Sequence, residues 1–415
     1  MDKLTLEKSE IYLLEGPQKI KIVEGSIEVV GARMDAGGEL EIPRGKTIPV
    51  EGLADSTIKA SNLDDETMEK LEKRSIPESW DKLVEELINT GSESILVIGE
   101  MDTGKTFFST YLTNSLLNNN DRVGIMDCDV GQSDIGPPGT IGVAMVEEPA
   151  VALDTVGWDE LAFVGAHSPG LHLVPFLSGI RHLADRALQK NDVLIVDTTG
   201  WVQGDGGRTV KQGKIDMLDP DKIVLLQKDQ ELEHLVHTIS SDRVERVDVS
   251  DKVTPTPPNE RKGLRERSMK GYMENTQQKT LNLKNFGLER VYFGSGSPLQ
   301  VEDPQVLHAE KLSGWEGVLA VVDGELSATT REKLSGYGQL KIVNPEIVEG
   351  LLISFTTEDS VCIGLGVVES IDFTEKTMQV HTPLENPEEA YRIQFGSIRY
   401  LPDGTENGFV EPGAL

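Results

Sequence analysis

A chain of 415 residues with 38% apolar and 27% charged residues is composed like a globular protein of two or three domains, and a formal net charge of −30 excludes a broad coat for nucleic acid, whose phosphates are held by Lys and Arg. The acidity reads either as solvated surface or as a field that turns away non-specific nucleic acid and leaves binding to a local basic patch. No apolar run is long enough to span a bilayer, the stretch MDKLTLEKSEIYLL lacks a signal-peptide core, and Cys128 and Cys362 cannot make a disulfide framework, so a cytoplasmic protein without a membrane partner is expected.

In chain order, KIKIVEG, SIEVVG, ELEIPRG and KTIPVEG alternate apolar and polar residues and end near Gly or Pro, which predicts a small N-terminal β domain over residues 1–63. Residues 64–92 read as a helical linker, DDETMEKLEKR and ESWDKLVEELI, broken by Pro77. The pattern then changes. ILVIG, VGIMDCD, DVLIVDTTG and KIVLLQK are buried-strand runs separated by helical stretches such as KTFFSTYLTNSLLN and GIRHLADRALQK. That alternation predicts an α/β domain, a parallel sheet flanked by helices, over residues 93–278. It closes with a Pro cluster and a basic stretch, ERKGLRERSMKGYM, near 259–272. From 279 to 415, VLAVVDG, GLLISFTT, VCIGLGVVESIDF, TMQVHTP and RIQFGSIRYL predict a C-terminal β domain.

Gly99-Glu100-Met101-Asp102-Thr103-Gly104-Lys105-Thr106 satisfies G-x-x-x-x-G-K-[ST] between a buried strand and a helix that continues with Phe107. In such a loop the backbone N–H groups and the helix N-terminus face phosphate oxygens. Lys105 reaches the β and γ phosphates, and the Thr106 hydroxyl can ligand Mg²⁺. Residues 99–107 are therefore the expected ATP site. Asp127 and Asp129 follow one strand and Asp197 follows another, where a carboxylate can hold Mg²⁺ or accept a proton. Asp197 to Gly200 also spells the D-x-x-G of a GTPase. The strand that should then end in N-K-x-D ends in Leu226-Gln227-Lys228-Asp229, which argues against guanine.

GEMDTGKT, DCDVGQ, HSPG, DTTGW and a late R-x-x-x-R together resemble the polynucleotide 5′-hydroxyl kinases related to the pre-mRNA cleavage-complex and ribosomal-RNA-processing kinases, with an archaeal member the most similar in character. The resemblance covers most of the chain and implies a P-loop kinase domain between N-terminal and C-terminal small β domains. It implies transfer of the γ-phosphate of ATP, with Mg²⁺, to the 5′-OH end of RNA or DNA, and RNA-processing protein partners bound through the β domains. It makes Asp129 the general base and Asp127, with Thr106, the metal side. Thr198, Gly200 and Trp201 become a clasp on the terminal nucleotide, with Gln132, His167 and Ser168 also on the substrate. Arg261 and Arg265 become lid cations over the phosphates. Gly263 between them weakens a helix, and Arg267 competes as a partner for Arg261. The rival readings are a GTPase or ATPase switch with water as acceptor, and a scaffold that keeps ATP bound without catalysis.

Overall fold

Alternation sets the N-terminal sheets. In Gln18–Glu24, Ile20 and Ile22 point inward while Lys19 and Lys21 face solvent, and Ser56–Ala60 beside it buries Ile58 and Ala60. The computed structural model of the chain describes residues 2–64, 66–119, 121–253 and 257–415. Asp65 of the expected linker and Pro255 of the Pro cluster lie outside the described residues. Two antiparallel sheets pack on each other, one ordered Asp2–Leu6, Ser56–Ala60, Gln18–Glu24, Glu39–Ile42, the other Ala32–Asp35, Ser26–Val29, Thr47–Gly52, Ile11–Glu15, Met68–Leu71.

The last of these strands corrects the helical reading of residues 64–76. Met68–Leu71 pairs antiparallel with Ile11–Glu15, buries Leu71 and sets Lys70 against Glu10. A charged segment with strong helix formers becomes a strand because the neighbouring sheet edge offers a ladder of backbone bonds. Helix α1 (Glu78–Thr90) begins only after Pro77 and ends at Gly91 in the left-handed conformation. Its buried face is Trp80, Leu83 and Leu87.

Trp80 joins the N-terminal unit to the α/β domain. Its ring lies 4.9 Å from Phe108 and 5.4 Å from Tyr111, both on helix α2 (Lys105–Leu117), and its indole N–H donates to the Asp248 carbonyl at 2.8 Å. Arg74 is the polar counterpart. It donates to Glu51 and Glu28, each at 2.8 Å, and to Asp81, which also accepts the Tyr111 hydroxyl at 2.7 Å.

Among the described residues the central sheet runs Val244–Asp248, Lys222–Gln227, Ser94–Gly99, Val193–Asp197, Val123–Asp127, all parallel. Helix α3 (Leu173–Leu188) and helix α4 (Gly204–Leu218) cover one face, and α2 the other. The expected parallel sheet is then extended by two antiparallel strands, Thr140–Val146 and Glu160–Phe163. The segments that join them hold no α-helix to carry a parallel crossover. A short helix, α5 (Glu233–Val236), precedes the last parallel strand, and helix α6 (Pro258–Tyr272) takes the place of the basic stretch.

The C-terminal strands Cys362–Asp372, Leu351–Thr356 and Arg392–Tyr400 continue the same sheet through the pairing of Leu161 with Cys362. The C-terminal region also holds helix α7 (Ala328–Ser335) between the parallel strands Gly317–Val322 and Gln339–Val343, an α/β insertion in a region read as wholly β. Among the described residues no helix is long and apolar enough to cross a membrane.

Replacing Arg74 with Met leaves Glu28, Glu51 and Asp81 facing one another. Urea unfolding at neutral pH should show a loss of about 3 kcal/mol, the low end for breaking a buried ion pair because the cluster keeps some solvent. An unchanged midpoint would show that the joint rests on Trp80 alone.

Candidate active site

The strand Ser94–Gly99 delivers the chain to the sheet's carboxyl edge, and the turn that follows needs special backbone. Asp102 has φ 57° and Gly104 φ 81°. A Cβ on Gly99 would sit 2.7 Å from the Thr103 hydroxyl and 3.0 Å from the Leu226 carbonyl, so only glycine fits. The Glu100 carbonyl accepts from the Lys105 ammonium and, at 2.9 Å, from the Thr103 hydroxyl. Met101 at the tip is exposed. Burial pushes Lys105 below the ordinary lysine range, opposed by the nearby Asp197, Asp129 and Asp102 carboxylates. Phe107, expected at the nucleotide, packs its ring 6.0 Å from Trp80 and belongs to the domain joint, which leaves only its backbone for the loop.

Three strand-end carboxylates have different partners. Asp197 accepts the Thr106 hydroxyl at 2.8 Å and the Thr198 N–H at 2.9 Å. Burial raises its pKa above the usual carboxylate range, opposed by Lys105 and the Thr106 bond. Asp127 sits beside it in register on the neighbouring strand, but its oxygens accept the backbone N–H groups of Asp129 at 2.8 Å, Asp134 at 2.6 Å and Ile135 at 3.2 Å. Asp127 therefore does not stand against Thr106 as expected. Asp127 organises the following turn, and Asp197 is the acid that meets Thr106. Burial drives Asp127 well above the usual carboxylate range, reinforced by Asp134 and Asp197. Asp129 is half-buried, with Oδ1 accepting from Gly131 and Gln132 N–H, each at 3.1 Å.

The turn after Asp197 also departs from expectation. Thr198 is 1% exposed, donates to the Val97 carbonyl at 2.8 Å and accepts from Lys211 at 2.8 Å, so it is a buried structural residue and not a substrate contact. Gly200 lies on the phosphate loop, where a Cβ would meet Met101 Cα at 2.6 Å and Met101 N at 2.7 Å. Trp201 is half-buried. Its ring rests on three glycines, since a Cβ on Gly206, Gly207 or Gly170 would lie 2.4, 3.2 or 3.5 Å from it. The indole is thus neither a core residue nor fully free.

Helix α6 brings Arg261 onto the phosphate loop, where Nη2 donates to Asp102 at 2.8 Å and Nη1 contacts the Met101 sulfur. Gln132, expected on the substrate, donates to the Gly131 carbonyl at 2.6 Å and to the Arg261 carbonyl at 3.3 Å, tying the Asp129 turn to this helix. Arg265, expected over the phosphates, is instead gripped through Nε and Nη2 by the Glu406 carboxylate, so it anchors the helix to the C-terminal region. Arg267 is exposed and takes no part in the Arg261 contacts. His167 pairs Nε2 with the Tyr400 hydroxyl at 2.8 Å, and burial pushes its imidazole down to about 4, so it is neutral at pH 7. Ser168 beside it is exposed. His172, which the sequence did not single out, pairs Nε2 with the Ser397 hydroxyl at 2.8 Å. Lys211 and Lys214 were missed as well. Both are fully buried on α4 beneath the site, where burial lowers each of them.

Phosphate loop, strand-end acids and an arginine on the loop define a P-loop phosphotransferase. Residues 99–275 match the family model described as mRNA cleavage and polyadenylation factor CLP1 P-loop. The polyribonucleotide 5′-hydroxyl-kinase of Pyrococcus abyssi is 31% identical over 330 residues, 77% of this chain and 91% of the relative. That of Methanocaldococcus jannaschii is 33% identical over 334 residues, again 77% and 91%. A chain of the wild-type Clp1p–Pcf11p complex shares the fold, with TM-score 0.67 at 14% identity over 96% of this chain and 98% of that one. The chain belongs to the polyribonucleotide 5′-hydroxyl-kinase family.

The Gly200 contact is testable. Gly200→Ala should push Met101, and the phosphate loop with it, away from residue 200 and weaken ATP binding by roughly tenfold, about 1.4 kcal/mol, in calorimetric titration of a protein that still folds. Unchanged ATP affinity would mean that the contact does not shape the loop.

Proposed function

We propose that the chain transfers the γ-phosphoryl group of ATP to the 5′-hydroxyl of RNA, with DNA a second acceptor, and that the site divides the work as its hydrogen bonds are divided. The phosphate-loop N–H groups and Lys105 hold the triphosphate. The Asp129 carboxylate, fixed through Oδ1 by two backbone N–H groups, takes the proton of the 5′-hydroxyl at Oδ2. The 5′-oxygen forms its bond to the γ-phosphorus as the bond to the β-phosphate oxygen breaks, and ADP leaves. Arg261, carried on the loop by α6, offsets charge on the transferring group. Trp201 supplies a π-face for the terminal base.

Thr106 and Asp197 fit Mg²⁺, because a hydroxyl and a carboxylate oxygen stand 2.8 Å apart at the foot of the phosphate loop and are the hard donors that this ion takes. Bound Mg²⁺ would neutralise phosphate charge. Among the described residues no group of three or more His, Cys, Asp or Glu side chains forms a metal cage, and an ion shared with substrate phosphates needs none. A cytoplasmic setting suits the two buried free cysteines. The β regions, which carry none of the groups assigned to transfer, are proposed surfaces for RNA-processing partners.

The observation that carries the proposal is the separation of the acids. Asp197 is engaged by Thr106 and Asp127 by backbone, which leaves Asp129 for the acceptor. The test follows labelled γ-phosphate from ATP onto 5′-OH RNA and DNA oligonucleotides, with a water-only control. Transfer to RNA is expected, and Asp129→Asn should lose about 10²–10⁴-fold in rate while ATP binding persists. Label released chiefly as inorganic phosphate would favour a switch ATPase. Full transfer by Asp129→Asn would remove the base assignment.

A further inference from the structure

Helix α4 carries a lysine where a core helix normally places a hydrophobic residue. Lys211 is 0% exposed. Its Nζ meets three oxygens of one turn, the Thr198 hydroxyl at 2.8 Å, the Thr199 carbonyl, and the Thr199 hydroxyl at 3.3 Å. No carboxylate forms an ion pair with it among the described residues. An ammonium held this way costs desolvation energy that a methionine of similar length would not. Lys214, one turn along the same helix and equally buried, has no hydrogen-bond partner for Nζ among the described residues and lies 4.9 Å over the Phe176 ring. Burial alone therefore does not set the Lys211 contacts. The turn that it grips does.

That turn leads directly into Trp201. The same helix supplies Gly206 and Gly207, against which the indole lies. One rigid element thus holds the turn at Thr198 and Thr199 and seats the ring that follows it. The nucleotide side is secured separately, through Thr198 N–H to Asp197 and Thr198 hydroxyl to the Val97 carbonyl. We propose that Lys211 is a positioning residue for the polynucleotide, acting through the Thr198–Thr199 turn to aim the Trp201 ring.

The inference rests on the polynucleotide-kinase reading, and its test separates the two. Oligonucleotide affinity is measured by fluorescence anisotropy with a 5′-OH RNA, and KM values for oligonucleotide and ATP by phosphate transfer, for wild type, Lys211→Met, Trp201→Ala and the double variant. Lys211→Met should raise the oligonucleotide Kd and KM about tenfold, and Trp201→Ala roughly ten- to hundredfold, the size of one lost stacking contact. ATP KM should stay within about twofold, and the double variant should be no worse than Trp201→Ala alone, because both changes remove one interaction. Should Lys211→Met fail to fold, Thr199→Val removes one of the hydroxyls that Lys211 meets, leaves both Thr198 bonds in place, and is read in the same direction. An unchanged oligonucleotide Kd, an equal rise in ATP KM, or effects that multiply in the double variant would overturn the proposal. A wild-type protein that binds RNA but transfers nothing would overturn the kinase reading, while the anisotropy values still decide the role of Lys211.

Discussion

Charge has to be kept at the carboxyl edge of the parallel sheet with little water to support it, and the rest of the molecule is arranged around that requirement. Asp127 and Asp197 are each 2% exposed, Lys105 is 8% exposed, and Lys211 and Lys214 lie wholly inside. In such a medium an isolated charge is disfavoured, so the ionisation of each group depends on its neighbours. Burial raises Asp197 and lowers Lys105, and each opposes the shift of the other. The helix N-terminus under the phosphate loop adds positive potential on the same side. An anion as strong as a triphosphate enters a site whose positive groups are already held in place, which is the preorganised electrostatics that phosphoryl transfer requires.

The surrounding elements make that strip of charge rigid. The N-terminal unit closes on α2 through Trp80 and Arg74, and it reaches Asp154 with Lys46 at 3.0 Å. Burial raises the neighbouring Asp134 to about 7, against the pull of Lys46, and the Asp134 N–H is one of the donors that fix Asp127. On the opposite side α6 spans from Asp102 at the phosphate loop to Glu406 in the C-terminal region. Met269 and Met273 of that helix and its continuation are buried with Tyr400, and the Tyr272 hydroxyl accepts the Leu365 N–H at 2.7 Å. The C-terminal strands therefore do more than decorate the kinase. They extend its sheet and hold the helix that brings Arg261 to the loop.

Much of this was legible in the sequence where chemistry demands a fixed local spacing. The phosphate loop needs glycines and a lysine at set intervals, and each falls where the backbone requires it. The buried parallel strands announce themselves as unbroken apolar runs. What escaped depends on distant partners. Asp127 and Asp197 look alike as strand-end acids, and only the fold shows which one meets Thr106. Arg265 reads as a free lid cation until Glu406, far along the chain, takes it. Lys211 and Lys214 sit in GDGGRTVKQGKIDML, where polar residues hide the buried face and suggest a solvated helix. Met68–Leu71 misleads in the opposite sense, since its local preference is helical and the sheet edge overrides it.

The central claim is that the strand-end acids are separated by their partners, with Asp197 on the metal side and Asp127 bracing the turn that holds Asp129. It is tested most directly by the Mg²⁺ concentration that half-saturates phosphate transfer in Asp197→Asn and in Asp127→Asn. The account predicts a rise of about ten- to hundredfold for Asp197→Asn, the range for losing a group that supports a bound metal, and a Mg²⁺ requirement close to wild type for Asp127→Asn, whose defect falls on rate and stability. The opposite pattern, a large Mg²⁺ shift confined to Asp127→Asn, would contradict it.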